Sequence, residues 1–202
     1  MLIGPHTVEF NANGFCIRNH ETGRCILGDS KTAKIFYVDP KAKIFCPLDV
    51  KNISIFKYYY VNLNAGTFQD LRSDNLGKIE MLGRQGTKYG CIRSNASVKT
   101  ERDYPVVICT IAGLEAPANL TGVLEYMYGM PDLSGFPVYI NYSGSLMKTD
   151  KRLRTVSIQR TTDLNFQTTP NSGWKKVKDS HTIDVKMASS ELYDSLLGPE
   201  RR

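Results

Sequence analysis

Cysteine and histidine carry the most versatile chemistry in this chain, and their spacing limits it. There are five cysteines (Cys16, Cys25, Cys46, Cys91 and Cys109) and three histidines (His6, His20 and His181). No two cysteines form a C-x-x-C pair, and no histidine stands at metal-ligand spacing from one, so no metal site is expected. A nucleophilic cysteine needs a positioned base. His181 could be paired with any of the five, and nothing in the local sequence singles one out. Disulfide chemistry fits the pattern better. Cys16 and Cys25 flank the turn-rich segment Asn19 to Gly23, as two strands of a hairpin would, and Cys91 and Cys109 each sit in a strand-like run. Both pairs are candidate disulfides in an oxidising compartment; the alternative is five buried thiols in a reducing one.

The other reactive residue types are less organised. Glu9 with Glu21, or Asp70 with Asp74, are carboxylate pairs without glycosidase spacing, and they read as solvated or turn residues. There is no glycine-rich phosphate loop and no G-x-S-x-G elbow. No catalytic residue, cofactor or metal is therefore assigned, and the chain is not expected to be an enzyme. Trp174, the single tryptophan, is followed by Lys175 and Lys176. It could stack a sugar or sit at a lipid interface, against the plainer reading that it closes one end of a core.

The net charge of +6 invites a polyanion reading, but the basic residues are scattered. Their one local concentration is Lys148, Lys151, Arg152, Arg154 and Arg160. This is a candidate contact for an anionic membrane surface or another protein, against the alternative of a solvated basic face. No nucleic-acid-binding motif is present, so no nucleic acid partner is expected. No apolar run approaches the ~20 residues of a membrane helix. The start, Met1 to Pro5, lacks the apolar core of a signal peptide. Four N-x-[ST] sequons, at Asn52, Asn95, Asn119 and Asn141, together with the cysteine pairs, favour a periplasmic or secreted protein in mature form, without its signal peptide.

The elements that must position these residues are mostly short strands. A chain of 202 residues, 41% hydrophobic, suits one domain, with residues 1–30 as an N-terminal hairpin segment and 180–202 as a helical tail. Strands are expected at Phe15–Arg18, Arg24–Leu27, Ala33–Val38 and Lys43–Cys46, with Pro47 ending the last because it cannot donate to a ladder. Asn52 to Leu63 is compatible with strand or helix, and Gly66 to Asn75 reads as loop. Further strands are expected at Lys78–Leu82, Lys88–Arg93, Pro105–Ile111, Phe136–Asn141 and Leu153–Arg160. One central helix stands out: Asn119 or Thr121 can cap it, Val123, Leu124, Met127 and Tyr128 form its apolar stripe, and Gly129 and Pro131 stop it. A second short helix is expected at Ser189–Leu197. No internal repeat is evident.

The stretch from Leu76 to Lys178 carries a family likeness. The run Asn75-Leu-Gly-Lys-Ile-Glu80, Gly86 to Cys91, Gly135-Phe-Pro-Val138, Leu153 to Arg160, then Phe166, Pro170 and Gly173-Trp-Lys-Lys-Val177 resembles the LolA-like lipoprotein-carrier fold, and in particular secreted domains of that type. The hairpin Lys34 to Phe45 is similar to a Lys- and Tyr-rich strand pair of the same family. The chain departs from that pattern in the spacing between Phe166 and Pro170, which is one residue longer. The resemblance implies a mainly β (α+β) fold: a single antiparallel sheet curved into an unclosed half-barrel, with one or two short helices on its concave face. Val123, Leu124, Met127 and Tyr128 would then be the helical plug. It also implies a non-enzymatic binding protein for a lipid-like or other apolar ligand. The alternative is an extracellular structural or interaction protein that uses the fold as scaffold.

Overall fold

Turns recur every ten residues in the first part of the chain, and they build its sheet. Asn19, Asp29 and Asp39 each end a strand, and each side chain accepts the backbone N–H three residues on: Thr22 at 2.8 Å, Thr32 at 2.7 Å and Ala42 at 2.9 Å. Asx side chains favour turns for this reason. The last residue of each four-residue turn takes a left-handed conformation: Gly23 at φ 70°, and Ala33 and Lys43 at φ 54°. This is a structural repeat, which the varied residue types at the turns hide from a reading of the sequence.

The computed structural model describes residues 5–49, 71–128, 130–144, 147–161 and 165–184. The chain divides into two compact units, Met1–Ile55 with Leu164–Arg202, and Phe56–Asp163. The fold is mainly β, as expected, but it has two unclosed sheets instead of one. The stretch from Leu76 to Lys178 accordingly divides between the two units.

The first unit contains β1 (His6–Asn11), β2 (Gly14–Asn19), β3 (Cys25–Asp29), β4 (Ile35–Asp39) and β5 (Ile44–Leu48) as an antiparallel meander. A late strand, β11 (Lys175–Lys176), joins β5 in parallel. β2 and β3 read as near-continuous apolar runs because both their faces are buried. One face carries Phe15, Ile17, Ile26 and Tyr37, with Ile183 also fully buried in this unit. Phe15 lies opposite Gly28, and a Cβ there would come within 2.0 Å of the Phe15 ring. The other face carries Cys16, Cys25, Leu27 and Val38, against which Phe36, Phe45, Phe166 and Trp174 pack. Pro47 does not end β5, because it sits beyond the short partner β11, where no neighbour requires its missing N–H.

The second unit is a five-stranded antiparallel meander with one helix. Its strands are β6 (Leu71–Met81), β7 (Arg84–Arg93), β8 (Val106–Ile111), β9 (Phe136–Gly144) and β10 (Met147–Arg154). The helix α1 (Ala118–Tyr128) packs against β9. Leu82 (φ 55°) and Gly83 (φ 69°) form a two-residue turn between β6 and β7, with the positive dihedrals of a type I′ hairpin. β6 extends back to Leu71 through part of the expected loop, with a bulge between Asn75 and Gly77. β10 lies earlier than the Leu153–Arg160 expectation: only Leu153 and Arg154 are in it, and Val156 is 79% exposed. The helix starts one residue before Asn119, and its first bonds go to the Pro117 carbonyl, so neither Asn119 nor Thr121 is the cap. Gly129, the segment Asn52 to Leu63, and the expected helix Ser189–Leu197 lie outside the described residues.

Candidate functional site

Five same-face positions on three adjacent strands build a pocket in the first unit. Register pairs Cys16 with Leu27, Arg18 with Cys25, and Cys25 with Val38, so alternation brings all five side chains to one face. Pro40 adds the edge of the next turn. The segment 165–174 covers this face and then enters β11, so Asn165, Phe166, Gln167 and Trp174 complete the wall. Its path is fixed by a bond from the Gln167 side-chain N–H to Asn171 Oδ1 at 2.6 Å and by a turn from Trp174 N–H to the Asn171 carbonyl at 3.0 Å. The Lys175 N–H then bonds the Lys43 carbonyl at 2.9 Å. The pocket is open to solvent on one side and has a volume of about 170 Å³.

The lining is apolar with a few polar groups. Leu27, Val38, Phe166 and Trp174 supply the apolar wall, Arg18 a cation, and Asn165 and Gln167 amides. Cys16 and Cys25 are 1% and 2% exposed and are diagonal neighbours across β2 and β3. The Cys25 S–H donates to the Gly23 carbonyl at 3.6 Å. The neighbouring Cys16 thiol, assisted by Arg18 and opposed by burial, holds the Cys25 pKa below the ordinary thiol value. The neighbouring Cys25, with burial, pushes Cys16 up. Among the described residues, no histidine or carboxylate lines the pocket.

All five cysteines are free thiols, which corrects the disulfide expectation. Cys91 and Cys109 fail on register. Cys109 lies opposite Lys88, three residues from Cys91, so the two thiols point to opposite faces of the sheet. Cys16 and Cys25 share a face but are offset by two residues, a diagonal pair with Cα atoms ~7–8 Å apart, beyond the usual disulfide span. Burial raises the pKa of Cys91, Cys109 and Cys46, that of Cys91 to about 12.

A second polar cluster lies on the opposite face of the same sheet. Arg24, 3% exposed, donates to Asp184 Oδ1 at 2.6 Å and to the Ile183 carbonyl at 2.7 Å, and stands 3.7 Å from Asp39. The Tyr37 hydroxyl donates to the same Asp184 oxygen at 3.0 Å, and burial raises its pKa. This cluster ties the helical turn at 181–184 to the start of β3 and is read as structural.

The remaining candidates are placed as follows. Val123, Leu124, Met127 and Tyr128 are all buried in the second unit, at 4% exposure or less. Arg154 and Arg160 are exposed, and the side chains of Lys148, Lys151 and Arg152 lie outside the described residues, as does Asp70. His20 bonds Thr7 at 2.8 Å on an exposed strand, away from any thiol of the pocket lining. Of the sequons, Asn95 is exposed, Asn119 and Asn141 each have a buried Oδ1, and Asn52 lies outside the described residues.

Sequence reasoning missed Arg18, Leu27, Val38, Pro40, Asn165 and Gln167 as pocket residues. The ten-residue turn period was the available signal, because it sets the register of β2 to β4 and hence which residues share a face.

Comparison with protein-family models, with curated proteins and with solved structures returned no match.

Proposed function

We propose that this chain is a non-enzymatic binding protein for a small lipid-like or other apolar ligand carrying an anionic group, held in the pocket of the first unit. The pocket carries the reading: an aromatic and aliphatic wall with one cation and two amides is the composition of a small-molecule site. Its size sets the ligand class. A cavity of ~150 Å³ holds one benzene ring, so 170 Å³ suits a single ring or a short acyl segment. Arg18 would take a carboxylate. The LolA-like resemblance supports the same class of ligand by analogy alone. With no disulfide among the five thiols, the support for a periplasmic or secreted location reduces to the sequons, of which Asn95 is the exposed one among the described residues.

Trp174 makes the test simple, because the only tryptophan of the chain lines the pocket. Titration with octanoate and with benzoate should shift its emission saturably. Octanol should bind roughly tenfold more weakly, because a charge-assisted bond is worth about 1.5–3 kcal/mol. Arg18→Gln should abolish that difference. Unchanged emission together with no binding heat for either carboxylate would overturn the reading and favour the scaffold alternative.

A further inference from the structure

The two thiols of the pocket have no role in holding an organic ligand, yet with Leu27 and Val38 they form its most deeply buried lining. Cys16 and Cys25 are diagonal neighbours on one face of adjacent strands, at 1% and 2% exposure, and both line the pocket. They are offset by two residues of register, which disfavours a disulfide. A single ion does span such a pair: with metal–thiolate bonds of about 2.3 Å, two sulfurs on one ion stand up to about 4.6 Å apart. We propose that Cys16 and Cys25 form a two-thiolate site for a soft, thiophilic monovalent cation, with Cu(I) as its type, entered through the pocket of the first unit.

The donor set selects the metal. Soft thiolates favour Cu(I), whereas hard cations need carboxylate and carbonyl oxygens. A closed zinc site needs four ligands, and the lining offers no imidazole or carboxylate to supply the other two. The surroundings fit the charge. Binding follows Cu⁺ + 2 RSH → [Cu(SR)₂]⁻ + 2 H⁺, with no change of oxidation state. The resulting single negative charge lies beside Arg18, which is directly opposite Cys25 and lines the same pocket. Leu27, Val38, Phe166 and Trp174 keep water from the ion. The site shares its pocket and Arg18 with the organic ligand proposed above, but its test is separate, since loss of either thiol leaves the carboxylate contact at Arg18 in place.

The test is an anaerobic competition titration of the reduced full-length chain against Cu(I) held by bathocuproine disulfonate. One Cu(I) per chain should be withdrawn from the chelator, with release of two protons. Cys16→Ser and Cys25→Ser should each lose the site, while Cys46→Ser, Cys91→Ser and Cys109→Ser keep it. Arg18→Gln should weaken binding about tenfold, the scale of an outer-shell partner, and it leaves both thiols in place should the serine variants fail to fold. Excess Zn(II) should not compete. No withdrawal of Cu(I), withdrawal that survives loss of Cys16 or Cys25 in folded protein, or an Arg18→Gln variant of unchanged affinity would each overturn the proposal.

Discussion

Among the described residues, Ala33, Lys43 and Leu82 hold positive φ without being glycine, at 54°, 54° and 55°. An L-residue in that region costs roughly 1–2 kcal/mol, and a replacing glycine gives back about 0.4–1 kcal/mol through its freer unfolded state. Ala33→Gly and Lys43→Gly should therefore each stabilise the chain by about 0.5–1 kcal/mol. Leu82→Asn should gain a similar amount, because Asn-Gly is the preferred type I′ pair and Leu82, 37% exposed, gives up little burial. Urea unfolding monitored by circular dichroism should show raised midpoints at unchanged slope; midpoints that fall at all three positions would refute the account. These residues also show why the turn period was hard to read. Gly23 announces its turn by type, but Ala33 and Lys43 occupy the same conformation with no such mark. The regular signal was instead Asn19, Asp29 and Asp39, whose side chains bond the turn backbone.

At the scale of elements, what was legible had local causes. The strands β2 to β5 and β8 follow from β-branched and aromatic runs between turn residues, and α1 follows from an apolar stripe that is buried throughout. What was missed depends on a distant partner. β10 is placed by pairing with β9, so the alternation visible in Leu153 to Arg160 did not decide its bounds. β11 is two lysines that become a strand only because β5 presents an edge to them. The pocket has the same origin, with four of its ten lining residues more than a hundred residues from the other six. The turn at 181–184 is held from afar as well, and its anchor is asymmetric. The Arg24 side chain is 4% exposed and that of Asp184 is 27% exposed. Removing one member of a buried pair costs about 3–5 kcal/mol when the other is left without compensation. Asp184→Ala leaves the buried guanidinium with Asp39 at 3.7 Å and the Ile183 carbonyl at 2.7 Å, and should cost somewhat less than about 3 kcal/mol. Arg24→Met leaves a carboxylate that water can reach and should cost less. Amide exchange at Ile183 and Asp184, whose N–H groups bond the Ser180 carbonyl, should accelerate in both variants. The reverse order of stability loss would refute this reading of the pair.

The whole molecule poses a question of cooperativity. Each unit has its own sheet and its own buried cluster, Cys16, Cys25, Leu27 and Val38 in one, Cys109, Ile111 and Val138 in the other. The first unit is discontinuous in sequence, whereas Phe56–Asp163 is a single run of chain. A run with five mutually paired strands and a packed helix has what an independent fold needs. The fragment Phe56–Asp163, expressed alone, should therefore give a β-dominated circular dichroism spectrum and a cooperative urea transition. The intact chain offers a second, internal check. Its only tryptophan belongs to the first unit, so Trp174 emission follows that unit alone, while far-ultraviolet circular dichroism follows both. Two independent units should give non-coincident transitions by the two probes, and the fragment's midpoint should match the phase that Trp174 does not report. An unfolded fragment, with coincident transitions in the intact chain, would instead make the molecule one cooperative body, and ligand or metal bound near Trp174 would then raise the stability of both units together.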